Sequence, residues 1–145
     1  VSEAIVISSR PRLAAVTQFL STAGLPTADL NERHCENFFH AGPATAPTGL
    51  IGLELFDDVA LLRSLAVAPP ERSSGTGSAL LRHAESHARA SGVRRLYLLT
   101  RTAEGFFARR GYASTPRDSA PAAIRATPEF AALCPASSAF MSKPL

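Results

Sequence analysis

The sequence predicts an α/β (α+β) fold: a single domain, residues 1–145, with one mixed sheet and helices on both faces. Three observations carry that prediction. Residues 61–92, LLRSLAVAPPERSSGTGSALLRHAESHARASG, read as strand, short turn, glycine-rich loop and helix. Short apolar runs punctuated by Gly, Pro and Asp turns lie on either side of that unit. The chain has 145 residues, 46% apolar and 19% charged, which suffices for one real core.

The elements follow in order. Ala4 to Ser8 (AIVIS) is a short first strand, and Arg10-Pro11 precedes an amphipathic helix marked by Leu13, Val16, Phe19 and Leu20, with Gly24 past its end. Pro26 to Asp29 is a turn, and Ala28 to Asn31 adds a short second helix. Cys35 to Ala41 is a second strand, Gly42 to Pro47 its connection, and Leu50 to Phe56 a third strand. Asp57-Asp58 turns the chain into the strand Leu61 to Val67. That strand stops at Pro69-Pro70, because neither proline can donate to a ladder. Leu80, Leu81, Ala84 and Ala88 share one face of the next helix, and Gly92 takes its left-handed terminal position. Arg95 to Thr100 is a buried fifth strand, and Thr102 is the N-cap expected for a helix from Ala103 to Arg110, closed by Gly111. Tyr112 to Ser114 starts another strand. Pro116 to Pro135 holds two single helical turns, Ala122 to Arg125 and Glu129 to Leu133, and Ser138 to Met141 is the last strand.

Composition excludes several functions. No apolar run reaches membrane-spanning length, and the apolar stretch of VSEAIVISSRPR is too short for a signal peptide, so a soluble protein is expected. The missing initiator Met points to a processed or trimmed start. Cys35 and Cys134 lie far apart without metal-ligand spacing, and His34, His40, His83 and His87 show none either. Two reduced thiols in a cytoplasmic protein, with no metal, are the expectation. His83 and His87 are read as a solvated helix face. The net charge is +3, carried by arginines dispersed from Arg10 to Arg125 without aromatic interleaving, which speaks against nucleic acid and for an anionic cofactor.

The loop Arg72-Ser73-Ser74-Gly75-Thr76-Gly77 opens a helix, so its backbone N–H groups are unpaired and converge on an anion site, most naturally for a phosphate or pyrophosphate. Gly75 and Gly77 let a phosphate approach the main chain, and Arg72 adds a charged donor. An ordinary surface turn before a helix has the same look. The loop lacks the Gly-Lys-Ser/Thr ending of a P-loop and the three-glycine spacing of a dinucleotide fold.

The phrase LAVAPPERSSGTGSALL resembles the acyl-CoA signature of the GNAT superfamily of N-acetyltransferases, R/Q-x-x-G-x-G/A after a strand ending in a V-x-P turn, with Arg72, Gly75 and Gly77 matching in place. The resemblance implies a mostly antiparallel sheet of about six or seven strands with a central V-shaped splay, and acetyl-CoA as co-substrate. It implies that the main-chain N–H groups of Ser73 to Ser78 hold the CoA pyrophosphate. It further implies that Leu65, Ala66 and Val67 pair with the pantetheine arm as an added strand does, and that Phe107 contributes to the cofactor site. LLTRTAEGFFARRGY, LPTADL, GLELF, LLRSLAV and R…P…EF…CPASSAFM look like the arsenic-resistance N-acetyltransferase subfamily. A more distant likeness is the acetyltransferase domain of N-acetylglutamate synthase. Both imply a small-molecule amine acceptor, an amino acid or an arsenic- or phosphorus-containing analogue. A homodimer through the C-terminal strands is also implied by the family likeness.

Direct acetyl transfer in a ternary complex needs a neutral amine, an oxyanion donor and a proton for the leaving thiolate. The backbone N–H near Leu65 or Val67, at the bulge typical of this strand, is the expected oxyanion donor. Glu54, among Leu53, Leu55 and Phe56, is the candidate base; the alternative is an ion pair with Arg63 on the neighbouring strand. Arg63 and Ser64 stand where acceptors sit in such enzymes, and Arg63 suits a bidentate grip on an α-carboxylate, with an exposed edge arginine as the alternative. Phe107 occupies the position where many members carry a general-acid Tyr. The carboxylate base of N-acetylglutamate synthase aligns with Leu61, so that mechanism does not transfer. Thr100, Thr102 and Tyr112 are the remaining hydroxyls, Thr102 serving either catalysis or only its helix cap. The subfamily likeness implies that Arg117, Arg125, Glu129 and Cys134-Pro135 lie on a flap over the acceptor side, with one or both of Arg117 and Arg125 reaching an anionic acceptor group; the alternative is a surface-packed tail with solvated arginines. The competing readings are an acyl-CoA-binding module without turnover, motivated by Phe107, and a protein or peptide N-acetyltransferase.

Overall fold

The computed structural model describes residues 5–72 and 74–145; Ala4 and Ser73 lie outside the described residues. Seven strands form one sheet: β1 (Ile7–Ser9), β2 (Phe38–Ala41), β3 (Gly49–Phe56), β4 (Val59–Val67), β5 (Arg95–Thr100), β6 (Ala113–Ser114) and β7 (Ala139–Pro144). Their order in space is β1-β2-β3-β4-β5-β7-β6. Every neighbouring pair is antiparallel except β4 and β5. That exception follows from the connection, because a parallel pair needs a crossover and α3 (Thr76–Ala90) supplies it.

Alternation along the strands sends side chains to two faces. On one face Phe39, Ile51, Leu53 and Leu62 pack against Leu80, Leu81, Ala84 and Ala88 of α3, and against Phe107 of α4 (Glu104–Ala108). On the other, Phe38 and Leu50 meet Val16 and Leu20 of α1 (Leu13–Thr22) and Cys35 of α2 (Glu32–Cys35). Ile124 of α5 (Ala122–Arg125) covers Leu61, Tyr97 and Phe140 on that second face. Gly52 is forced by this layering, since a Cβ there would lie 2.3 Å from the Phe38 ring.

Three local expectations are corrected. The second helix lies at Glu32–Cys35, not Ala28 to Asn31; Asn31 is its cap, accepting from the N–H groups of Arg33 and His34. Thr102 does not cap α4: the N-cap is Ala103, whose own N–H donates to the Thr100 hydroxyl at 3.0 Å. His83 and His87 are half-buried rather than solvated, and both rings meet the Phe39 ring edge-on at 4.7 and 5.0 Å.

Two irregularities at the centre of the sheet create the site. Between Leu50↔Ala66 and Gly52↔Arg63 one strand advances two residues and the other three, so β4 carries a bulge where Ser64 adopts φ +63°. On its other side, β4 pairs with β5 only as far as Leu62↔Leu98. Beyond that pair the two strands separate in a V, leaving the β4 edge from Arg63 to Val67 open.

Candidate active site

The gap between β4 and β5 is a cleft of about 1260 Å³ whose walls include Ser64, Val67, Thr100, Phe107, Glu129 and Ser138. That is roomier than the usual small-molecule pocket of ~300–1,000 Å³, enough for an extended arm and a second molecule. The Ala68 N–H bonds Thr48 O at 2.8 Å, so even-numbered residues at this end of β4 turn their amides toward β3. By alternation the amide groups of Leu65 and Val67 turn toward the cleft, and Val67 O accepts from Arg72 Nε at 3.1 Å.

One end of the cleft is cationic. Gly75 takes φ +87° at the N-cap of α3, and a Cβ there would meet nothing within 4 Å, so the backbone conformation, not space, demands glycine. The first turn of α3 contains no acidic residue and its N-cap, Gly75, has no side chain to cap it, leaving the N–H groups of Thr76, Gly77 and Ser78 without intrahelical acceptors. Gly77 packs closely on α4, its notional Cβ 3.5 Å from the Phe106 ring. Ser74 Oγ and Thr76 Oγ1 are 2.8 Å apart. Sequence reasoning missed Arg110 here. Its Nη2 donates to Ser78 Oγ at 2.7 Å and its Nη1 to Phe106 O at 2.8 Å, while its guanidinium lies 3.7 Å from the centre of the Phe106 ring. The sequence places Arg110 only as the last residue of a helix closed by Gly111.

The other end is acidic. The Arg63 side chain is fully buried, which removes the reading of an exposed edge arginine. Its Nη1 donates to Asp29 Oδ2 at 2.6 Å and Glu54 Oε2 at 3.0 Å, its Nη2 to Asp29 Oδ1 at 3.0 Å, and its Nε to Ser64 Oγ at 3.1 Å. Glu129 Oε2 lies 3.2 Å from Nη2. The fork is therefore filled by the protein's own carboxylates, and the expected grip on a substrate α-carboxylate gives way to an internal cluster. Three carboxylates surround one guanidinium. Burial alone would lower the Arg63 pKa, but Asp29 and then the other carboxylates push it above the ordinary value. Burial raises Asp29, and its bonds to Arg63 outweigh that and lower it. Glu54 forms the ion pair that was the alternative to a base role. Asp29, His34 and Glu54 also converge, with polar atoms within 4.8 Å of one another, but Arg63 already brings the positive charge to that spot.

The remaining candidates separate clearly. Thr102 is exposed at the cleft mouth, and Phe107 is buried in its wall, edge-on to Phe106 and Tyr112. Tyr112 is not a cleft hydroxyl: it donates to Glu85 Oε2 at 2.8 Å, and Lys143 Nζ reaches the same oxygen at 2.9 Å. Arg117 and Arg125 do not point into the cleft either. Arg117 Nη2 donates to Ser138 O at 2.9 Å, and Arg125 Nε donates to Ala120 O at 3.0 Å and its Nη2 to Asp118 O, so both hold the flap together. Cys134 lines the cleft as a half-buried thiol that burial, and then Glu129, push up to about 11. Ser138 was not singled out in the sequence, yet its buried Oγ is without a hydrogen-bond partner among the described residues.

An open strand edge leading from an anion-accepting helix end to an acidic pocket suits an extended, phosphate-ended donor and a cationic acceptor. The chain belongs to the Acetyltransferase (GNAT) family, whose model matches residues 13–112. An amino-acid acetyltransferase of Ralstonia nicotianae is 38% identical over 65 residues, 45% of this chain and 14% of that protein. N-acetylglutamate synthase of Neisseria gonorrhoeae, solved with coenzyme A and N-acetyl-glutamate, superposes with a TM-score of 0.81 at 23% identity over 100% of this chain and 36% of its own. Rv2747 of Mycobacterium tuberculosis, solved in complex with CoA, gives a TM-score of 0.77 at 22% identity, covering 97% of this chain and 99% of that one. These structures share the fold. The chain spans only a fraction of the Ralstonia and Neisseria proteins.

Proposed function

We propose that the chain is an acetyl-CoA-dependent N-acetyltransferase whose acceptor is the amine of a small amino acid or amino-acid analogue. The single observation that carries this reading is the cleft itself, with a bulged, open β4 edge between a cationic and an acidic end. The N–H groups of residues 73–78 take the CoA pyrophosphate with Arg72, and the arm lies along Leu65, Ala66 and Val67 against Phe107. The N–H of Leu65 or Val67 meets the thioester oxygen, where a preorganised donor is worth most as charge develops. Excess carboxylate around Arg63 and Ser64 draws an ammonium group to the thioester.

The amino-acid class of acceptor rests on the Ralstonia relative together with that acidic pocket. Likeness to the arsenic-resistance subfamily adds arsenic- and phosphorus-containing amino-acid analogues to the candidates. Free Cys35 and Cys134 fit a reducing, cytoplasmic setting. No helix among the described residues is long and apolar enough to cross a membrane. A homodimer through the C-terminal strands belongs to the same proposal, and sedimentation of the purified chain tests it. The function is tested by following thiol release from acetyl-CoA with a panel of amino acids and analogues. Turnover with N-acetyl product supports the reading, and tight acetyl-CoA binding without turnover favours a binding module instead.

A further inference from the structure

We propose that Glu129, carried by the C-terminal flap, is the catalytic residue that takes the proton from the acceptor's ammonium group. The assignment rests on the acetyltransferase reading above.

Glu129 opens a single π-helical turn, Glu129–Leu133, and is 4% exposed. Single π turns are rare and are found frequently at functional sites. The three carboxylates around Arg63 are not equivalent. Asp29 chelates the guanidinium through both oxygens, and Glu54 lies 3.0 Å from Nη1. Neither of their side chains lines the cleft, whereas Glu129 does, beside Ser64 and Leu65 at the bulge. Glu129 comes nearest Arg63 at Oε2, 3.2 Å from Nη2, and unlike Asp29 and Glu54 its carboxylate makes no side-chain hydrogen bond among the described residues. Ser138 Oγ, in the same wall, is buried and without a hydrogen-bond partner among the described residues, so this face offers two polar groups to whatever enters.

Glu129 faces Arg63 from β4, Asp29 from the segment before α2, Glu54 from β3 and Cys134 from its own flap. Burial pushes its carboxyl up; Arg63 opposes this, and the Asp29 and Glu54 charges add to it, bringing the group to about 7. A base poised near neutrality can accept an ammonium proton and release it to solvent afterwards.

The Glu129 carboxylate takes one proton from the ammonium, and the freed nitrogen pair forms the C–N bond to the thioester carbon. When the C–S bond breaks, its electron pair leaves on sulfur. The second amine proton ends on that thiolate, and the proton held by Glu129 passes to solvent. The products are the N-acetyl compound, CoA thiol and one proton.

The test compares wild type with Glu129→Gln and Glu129→Asp in thiol release across pH 5.5–9, with acetyl-CoA binding measured by calorimetry. Glu129→Gln is expected to lower kcat by about 10²–10³-fold. It should leave acetyl-CoA affinity within a factor of about three and remove the acid limb that the wild type shows near neutral pH. Glu129→Asp should recover part of the rate and keep a limb. A Glu129→Gln enzyme with near-wild-type kcat and an intact limb would overturn the assignment while leaving the acetyltransferase reading in place. Absence of wild-type turnover on every amine tested would instead overturn the functional reading, and this assignment with it.

Discussion

Asp29 and Arg63, 34 residues apart, meet through two hydrogen bonds of 2.6 and 3.0 Å, tying the segment after α1 to the bulged strand at the centre of the sheet. A guanidinium with no exposed side-chain surface is tolerable only because carboxylates fill its fork.

Replacing Arg63 should therefore unfold more than it inactivates. Arg63→Ala leaves three carboxylates facing one another, and we expect a loss of about 3–5 kcal/mol in urea denaturation. Arg63→Lys should recover little of this, because an ammonium cannot reproduce the two-pronged contact. A wild-type midpoint for Arg63→Ala would show that the cluster does not hold the fold.

Two glycines should fail differently. Gly52→Ala drives a methyl into the Phe38 ring at 2.3 Å, so the layered core must shift, at a cost of about 1–3 kcal/mol or more. Gly75→Ala meets no atom but must hold φ +87°, for roughly 1–2 kcal/mol of local strain. Its main effect should be a several-fold weaker affinity for acetyl-CoA. Calorimetric binding and urea midpoints on both variants separate the two.

Tyr112 is a structural hydroxyl. Tyr112→Phe should leave thiol release unchanged and lower stability by about 1 kcal/mol, the usual worth of one hydrogen bond. A large drop in kcat would return Tyr112 to the chemistry.

The raised carboxyl of Glu129 also fixes a sign for stability against pH. Its folded value of about 7 exceeds the ordinary 4.5, so the folded state binds that proton more tightly. Its contribution is complete below pH 4.5 and is lost as pH rises through about 7, on the order of 3 kcal/mol in all. Glu129→Gln should remove this loss, gaining on the wild type in urea midpoint between pH 4.5 and 8. An unchanged difference across that range would contradict it.

Local signals made most of the fold legible. Pro69-Pro70 ended β4, and Gly75 and Gly92 bracketed α3, because these residues act through their own backbone angles. Caps were less secure: Thr102 looked like the cap of α4 although Ala103 holds that position, and Asn31 looked like a helix end although it begins one. Both errors are shifts of a few residues that depend on where the chain turns. The glycine loop that opens α3 was readable for the same local reason. The acidic end was not. Asp29, Glu54, Arg63 and Glu129 come together only through strand pairing and the return of the flap, and no spacing in the sequence records it. Arg117 and Arg125 were misplaced on the acceptor for want of that same folding-back.

The most direct test of the whole account is a single mass-resolved assay: acetyl-CoA with each amino acid or analogue, recording free thiol and N-acetyl product together. We expect thiol and N-acetyl product to appear in equal amounts with at least one small amino-acid acceptor, and neither above background without one. Tight acetyl-CoA binding with no N-acetyl product from any acceptor would contradict the assignment as an N-acetyltransferase of small amines.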